Sequence, residues 1–351
     1  MVVQFELGSK HLENKKLAAE AIQALKGKNT KEIVAELMAK SYGSIPSDKA
    51  LYNDYLGLAV SLEEIAKVSP EAASILVDQL IAAELYTGCG NSSDYSSREV
   101  YAVLCAEPGI ANLSKLGTKA SKTSSGWHVE GKKQIRGEHL TADKYLVYAV
   151  DEAGKTRVFC LSENNIGVTQ QVKEIAGTNI NINIAEINVD LPENSCIAEI
   201  NNNMEQIMTV ARTMVAAVAL GIGHSAVVAS INVAKEVKGA DNQSISATQS
   251  MQFTLADMYS ELEASRMLTY YSADLIDSKK SNIKYATMAK VKSTDTASSV
   301  SLQALQVLGT LGYLANNEFA DILRFAVDSQ TRGGTNRTQR NQIYQHLLAK
   351  K

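Results

Sequence analysis

Near its C-terminus the chain reads Arg332-Gly333-Gly334-Thr335, a short loop whose paired glycines allow backbone to lie close against a ligand. It follows an apolar helix, a glycine-broken turn and a second helix, all within Ser301 to Arg340. Other residues able to do chemistry are scattered. Asp257, Glu261 and Glu263 lie along one helix without histidines, which fits a solvated face and no metal site. Cys89, Cys105, Cys160 and Cys196 are far apart and form no CxxC, so neither a disulfide framework nor a zinc site is expected. His128 and His139 fall in a β-rich stretch and are expected on exposed strands or loops, whereas His224, between Gly223 and Ser225, is expected at a packed helix interface. His11 and His346 lie near the termini and support no role.

These residues have to be positioned by three kinds of sequence. From His11 to about Leu85 apolar residues recur at helical spacing, and Ser69-Pro70-Glu71 reads as a helix start with Ser69 as N-cap. After Gly88-Cys89-Gly90-Asn91 the texture changes. From Tyr101 to about Ile200 short runs rich in β-branched and aromatic residues alternate with turns at Asp151 to Gly154 and Glu163 to Asn165. From Met204 long amphipathic helices return, and the small-residue stripe Ala216 to Val228 reads as bundle core. The expected class is α+β, with an N-terminal helical domain over 1–98, a middle β-domain over 99–202 and a C-terminal four-helix bundle over 203–351. No helix is interleaved among the strands, so the middle domain is expected to be a barrel or sandwich and not a parallel sheet.

Composition narrows the function classes. With 351 residues and 45% hydrophobic content the chain can bury a large core. Its 35 basic and 38 acidic residues are well mixed, which excludes the electrostatic footprint of a nucleic-acid or anionic-membrane binder. No run is expected to reach the roughly 20 apolar residues that span a bilayer, and Met1 to Lys16 lacks a signal core. Reduced thiols and the absence of a leader suggest the cytoplasm.

Particular residues narrow the fold further. Tyr101 to Gly109, YAVLCAEPG, resembles the "alTEPgaGSD" segment of acyl-CoA dehydrogenases, and Trp127 to Lys133, WHVEGKK, resembles the "W.lnG.K.wItn" segment after it. Arg212 through Gly223 is similar to the family's "R...aa.alGia..al" helix, and Gln249 to Met258, QSMQFTLADM, to its "Q.vqf.LADM" helix. Gln306 to Tyr313, QVLGTLGY, resembles "Q.lGG.Gy", and Leu323-Arg324 keeps the family's distance from "lRD" to the "EGT" placed at Thr335. The resemblance runs from about residue 50 onward in one order.

The resemblance implies an oxidoreductase in which a glutamate removes the α-proton of an acyl-CoA while the β-hydrogen passes as hydride to FAD, later reoxidised by an electron-transfer flavoprotein. It also implies homo- or hetero-oligomers, dimers or tetramers, that complete one another's FAD sites. Carried over residue by residue, Gln306, Gly309, Gly312 and Thr335 are the cofactor positions and Arg212 the active-site arginine on the substrate side. The family's glutamate falls on Gly333, with Arg332 in place of its tyrosine, and the alternative base position falls on Ala211. Neither residue can take a proton. The diphosphate arginine of "ER..FGk" falls on Val237 or Lys238, the threonine of "TEP" on Ala106, "wIT" on Ile135-Arg136-Gly137 and the aspartate of "lRD" on Phe325. Glu107 is structural in the family, or here a substitute base; Arg136 is a surface arginine or a counter-charge to a flavin or phosphate.

Two functions are therefore expected to compete: an acyl-CoA dehydrogenase-like flavoenzyme divergent at its base, and a non-catalytic or partner-dependent subunit or acyl-CoA-binding scaffold. A monooxygenase or nitroalkane oxidase-like activity on the same fold is a third, weaker reading.

Overall fold

The computed structural model describes residues 7–45, 54–88, 94–109, 116–175, 178–200, 204–280, 283–314 and 317–348. Cys89, the turn at 89–91 and the expected boundary at residue 202 lie outside them. Four helices come first, α1 (Ser9–Gln23), α2 (Thr30–Ala39), α3 (Tyr55–Ala66) and α4 (Pro70–Gly88). Their starts are written locally: Asn29 Oδ1 accepts from the Glu32 amide, Asp54 Oδ1 from Gly57, and Ser69 Oγ from Ala72 just ahead of Pro70. The chain divides into two compact units, and these helices divide with it. Residues 1–28 and 46–74 group with 208–351, whereas 29–45 group with 75–207.

The second unit is built on eight strands, β1 (Tyr101–Leu104), β2 (Lys119–Lys122), β3 (Gly126–Ile135), β4 (Lys144–Asp151), β5 (Thr156–Ser162), β6 (Gly167–Ile175), β7 (Thr178–Pro192) and β8 (Cys196–Glu199). They form one sheet in the order β6-β7-β3-β2-β4-β5-β8, with β1 also on β4. Most pairings are antiparallel, as in β3 with β7, where Trp127 faces Leu191 and Ile135 faces Asn183. Two are parallel, β1 with β4 and β2 with β4, so strand order is not a simple meander. The core joins one face of α4, through Ala82, Leu85 and Tyr86, to Tyr101, Leu146 and Val158 of the strands.

The other unit is helical: α5 (Met204–Glu236), α6 (Gln249–Asp277), α7 (Ile283–Val307), α8 (Glu318–Ser329) and α9 (Asn336–Leu348), joined by α1 and α3. The expectation about membrane-length runs needs correction, because the 33-residue α5 is long and apolar enough by length and composition to cross a bilayer. Its apolar residues are mostly buried inside the fold, among them Met214, Ala216, Leu220 and Ala226, so it reads as a core helix. Gly221 lets α5 approach α3 closely: a Cβ there would lie 2.4 Å from the Glu63 carbonyl oxygen. Between helices runs a ladder of buried hydroxyls, Thr213 with Ser272, Thr269 with Ser293 and Ser265 with Thr296, each 2.8 to 2.9 Å apart. Small polar side chains here serve the close packing that large apolar ones would prevent.

Candidate functional site

The loop between α8 and α9 is held from beneath by long polar side chains. Gly333 and Gly334 take the left-handed region, at φ +60° and +98°, so both are positions where a side chain is strained. Lys290, fully buried on α7, donates from Nζ to the carbonyls of Gln330 and Gly334, each at 2.8 Å, and to Asn336 Oδ1 at 2.7 Å. Buried Gln339 donates from Nε2 to the carbonyls of Gly333 and Gly334 at 2.8 and 2.9 Å. Thr335 accepts from the Thr338 amide and so begins α9. The carbonyls that glycine leaves unshielded are thus taken up by donors from α7 and α9.

Arg212 lies against this loop. It is 6% exposed and donates from Nε to the Gly333 carbonyl at 3.2 Å and from Nη1 to Thr287 Oγ1 at 2.8 Å. Both acceptors are neutral. Burial lowers its pKa from the ordinary arginine range to about 10. A Cβ on Gly333 would touch only Arg212 Cγ, at 3.5 Å, which is ordinary contact. Ala211, the other expected base position, is buried and brings no titratable group.

Gln306, Gly309 and Gly312 are not brought to Arg212. They lie at and just beyond the far end of α7; at about 1.5 Å per residue, Gln306 is roughly 28 Å along that helix from Thr287 and roughly 18 Å from Thr294, which binds Asn336 beside Thr335. Gln306 and Gly309 are exposed. Gly309 has φ +59° and open space around a built Cβ, whereas at Gly312 a Cβ would meet the Leu305 carbonyl oxygen at 2.4 Å. Val237 and Lys238 are both exposed on the turn after α5, where Lys238 bridges to Ser244. Arg324 pairs with Asp321 on the surface of α8.

Two expectations change in the other unit. His139 is not exposed: it is buried in the turn after β3, with Nε2 3.0 Å from Asp78 Oδ2. Glu107 is no free base, because Lys133 Nζ at 2.6 Å, Thr118 Oγ1 at 2.5 Å and the amides of Gly117 and Thr118 all donate to it. Burial alone would raise its pKa, but these donors hold its carboxyl below the ordinary value. Residues that the sequence reading missed include Lys290, Gln339 and Thr287. Their signal was a lysine, a glutamine and a threonine on the helix faces that packing would otherwise give to apolar side chains.

A family model described as "Acyl-CoA dehydrogenase, C-terminal domain" matches residues 201–348. The chain is 29% identical over 319 residues to the mitochondrial short-chain specific acyl-CoA dehydrogenase of Homo sapiens, covering 84% of this chain and 76% of that one. It is 30% identical over 249 residues to an acyl-CoA dehydrogenase of Bacillus subtilis, covering 68% and 65%. Among solved structures, butyryl-CoA dehydrogenase from Megasphaera elsdenii superposes with a TM-score of 0.83 at 24% identity, over 99% of this chain and 100% of that chain, which shows a shared fold. The motifs, the fold and these likenesses agree: the chain belongs to the acyl-CoA dehydrogenase family.

Proposed function

We propose that the chain works as an acyl-CoA dehydrogenase-like flavoprotein acting on the CH–CH bond of an acyl-CoA thioester, with the usual proton-accepting position held by Gly333. The observation that carries this reading is the placement of Arg212 against the Gly333 loop, which sets the family's arginine beside the position of its glutamate. FAD, when bound, supplies the hydride acceptor. For its diphosphate, Gly309 offers open backbone, Gln306 an exposed amide and Lys238 an exposed cation, so the residues present fit the group. Lys238 keeps a charge without the bidentate fork of an arginine. Because Thr335 stands far along α7 from Gln306, one chain does not gather the four expected positions at a single point. That separation supports a site completed by a second copy in a dimer or tetramer. An electron-transfer flavoprotein as oxidant and a cytoplasmic location complete the proposal.

Arg212 is fixed through Nε by the Gly333 carbonyl and through Nη1 by Thr287, and so holds a positive charge at the loop on the substrate side. No side chain at 211 or 333 accepts the α-proton, and general acid–base help of this kind is worth about 10²- to 10⁴-fold. This favours a second reading, a partner-dependent subunit whose competent half lies on another chain. The test of the first reading is colour. Purified protein, or protein incubated with FAD and desalted, should carry flavin absorption; a colourless protein that takes up no FAD contradicts it. For the second, co-expression with a dehydrogenase paralogue should yield a complex by size exclusion that carries flavin, and two separate colourless peaks contradict it.

A further inference from the structure

Arg212 has more donors than the fold uses. Among the described residues its guanidinium bonds through Nε and Nη1 only, both to neutral oxygens, and Nη2 has no partner. A Cβ on Gly333 would meet only Arg212 Cγ, at 3.5 Å, and a Cβ on Gly334 would lie 3.3 Å from Gln339 Nε2 and 3.9 Å from Arg212 Nη2. The same loop carries a second buried cation beneath it, Lys290, bonded to the Gly334 carbonyl. Asp295 also reaches the loop, through Gln330 Nε2 at 2.9 Å and Asn336 Nδ2 at 2.7 Å, but it is paired with Arg340. The acceptors around Arg212 are therefore dipoles with no carboxylate among them, an unfavourable setting for a buried cation. A carboxylate arriving there takes up both the charge and the unused N–H groups, through the charge-assisted bonds that arginine forms best.

We propose that the niche beside the Gly333–Gly334 backbone, at Arg212 Nη2, binds a carboxylate carried on the acyl chain of the ligand, so that the protein selects thioesters of dicarboxylic acids over those of plain fatty acids. The inference rests on the acyl-thioester reading above. The glycine then has a positive role, since a glutamate at 333 would fill the niche and repel such a ligand.

Calorimetric titration of the full chain with succinyl-CoA and butyryl-CoA, whose acyl groups are equal in length, isolates the carboxylate because the CoA part is common to both. The wild type should bind succinyl-CoA about tenfold or more tightly. Gly333→Glu should reverse the preference. Gly333→Asn, a neutral residue tolerated at positive φ, should remove it without reversing it, and circular dichroism checks that both variants fold. Equal affinities in the wild type, or one preference shared by all three proteins, overturns the inference. If neither thioester binds, the acyl-thioester reading falls by itself. The niche is then tested with sodium propionate: saturable thermal stabilisation beyond that of sodium chloride, lost in Gly333→Glu, keeps the carboxylate site, and an identical response in both proteins overturns it.

Discussion

At the scale of single residues, burial of charge decides most of what can be measured. His224 on α5 is half-buried, and its Nδ1 has no hydrogen-bond partner among the described residues. Burial first, then the positive charges of Lys67, Arg266 and Lys15 against that of Glu63, lowers its pKa from 6.5 to about 4. Between those values the unfolded chain binds the proton and the folded chain does not, so stability falls as pH drops from about 6.5 toward about 4. His224→Gln should flatten this acid slope in urea titrations at about pH 7 and about pH 5; an unchanged slope would place the titration elsewhere. Gly333→Ala tests the loop: at φ +60° a Cβ should cost about 1 kcal/mol even though space is open. Gly333 and Arg212 were legible because motif spacing fixes both. Lys290 and Gln339 were not, because their contribution is tertiary, a side chain reaching carbonyls some 40 residues on, or across a turn. His139 was misplaced because β-rich texture does not reveal that the turn after β3 folds inward to Asp78.

At the scale of elements, two contacts hold the helical unit in register. Gly221→Ala would put a methyl 2.4 Å from the Glu63 carbonyl oxygen and 2.6 Å from Ala66 Cβ, forcing α5 away from α3. An overpacking cost of about 1–3 kcal/mol is expected, read as a lower urea midpoint with unchanged slope. Nearby, buried Glu63 accepts from Arg266 and Tyr270, which ties α3 to α6. Lys290→Met should remove one donor from each of three acceptors; the Gly334 carbonyl keeps Gln339 and the Gln330 carbonyl keeps the Asn336 amide, so Asn336 Oδ1 bears most of the loss, at about 1–3 kcal/mol. Amide hydrogen exchange should then rise first at residues 330–336; protection unchanged there would mean that Gln339 and Arg212 suffice. Helix positions and caps were readable from periodicity and from Asn29, Asp54 and Ser69. The hydroxyl ladder and the parallel placement of β1 and β2 on β4 were not, since pattern gives the face of an element but not its neighbour.

At the scale of the molecule, the order helical, β, helical was legible, and so was the family. The distribution of α1 and α3 to one unit and α2 to the other was not, because nothing periodic in a helix states which later segment it will meet. Large apolar side chains remain exposed in a single chain, including Phe253, Met267, Tyr344 and Leu347, each more than half exposed. Exposed apolar side chains of this size are available for burial against another copy. Sedimentation should find dimers or tetramers, and FAD content should rise with the oligomeric fraction; a flavin-loaded monomer would contradict the shared site.

The most direct test is anaerobic reduction of flavin in FAD-reconstituted protein on adding butyryl-CoA, comparing wild type with Gly333→Glu. If the fold is a dehydrogenase whose proton acceptor alone has been replaced, both proteins bind flavin and the glutamate variant bleaches it about 10²-fold faster or more. Flavin bound by neither protein, or bleaching by the wild type at a rate the glutamate does not change, would contradict the account.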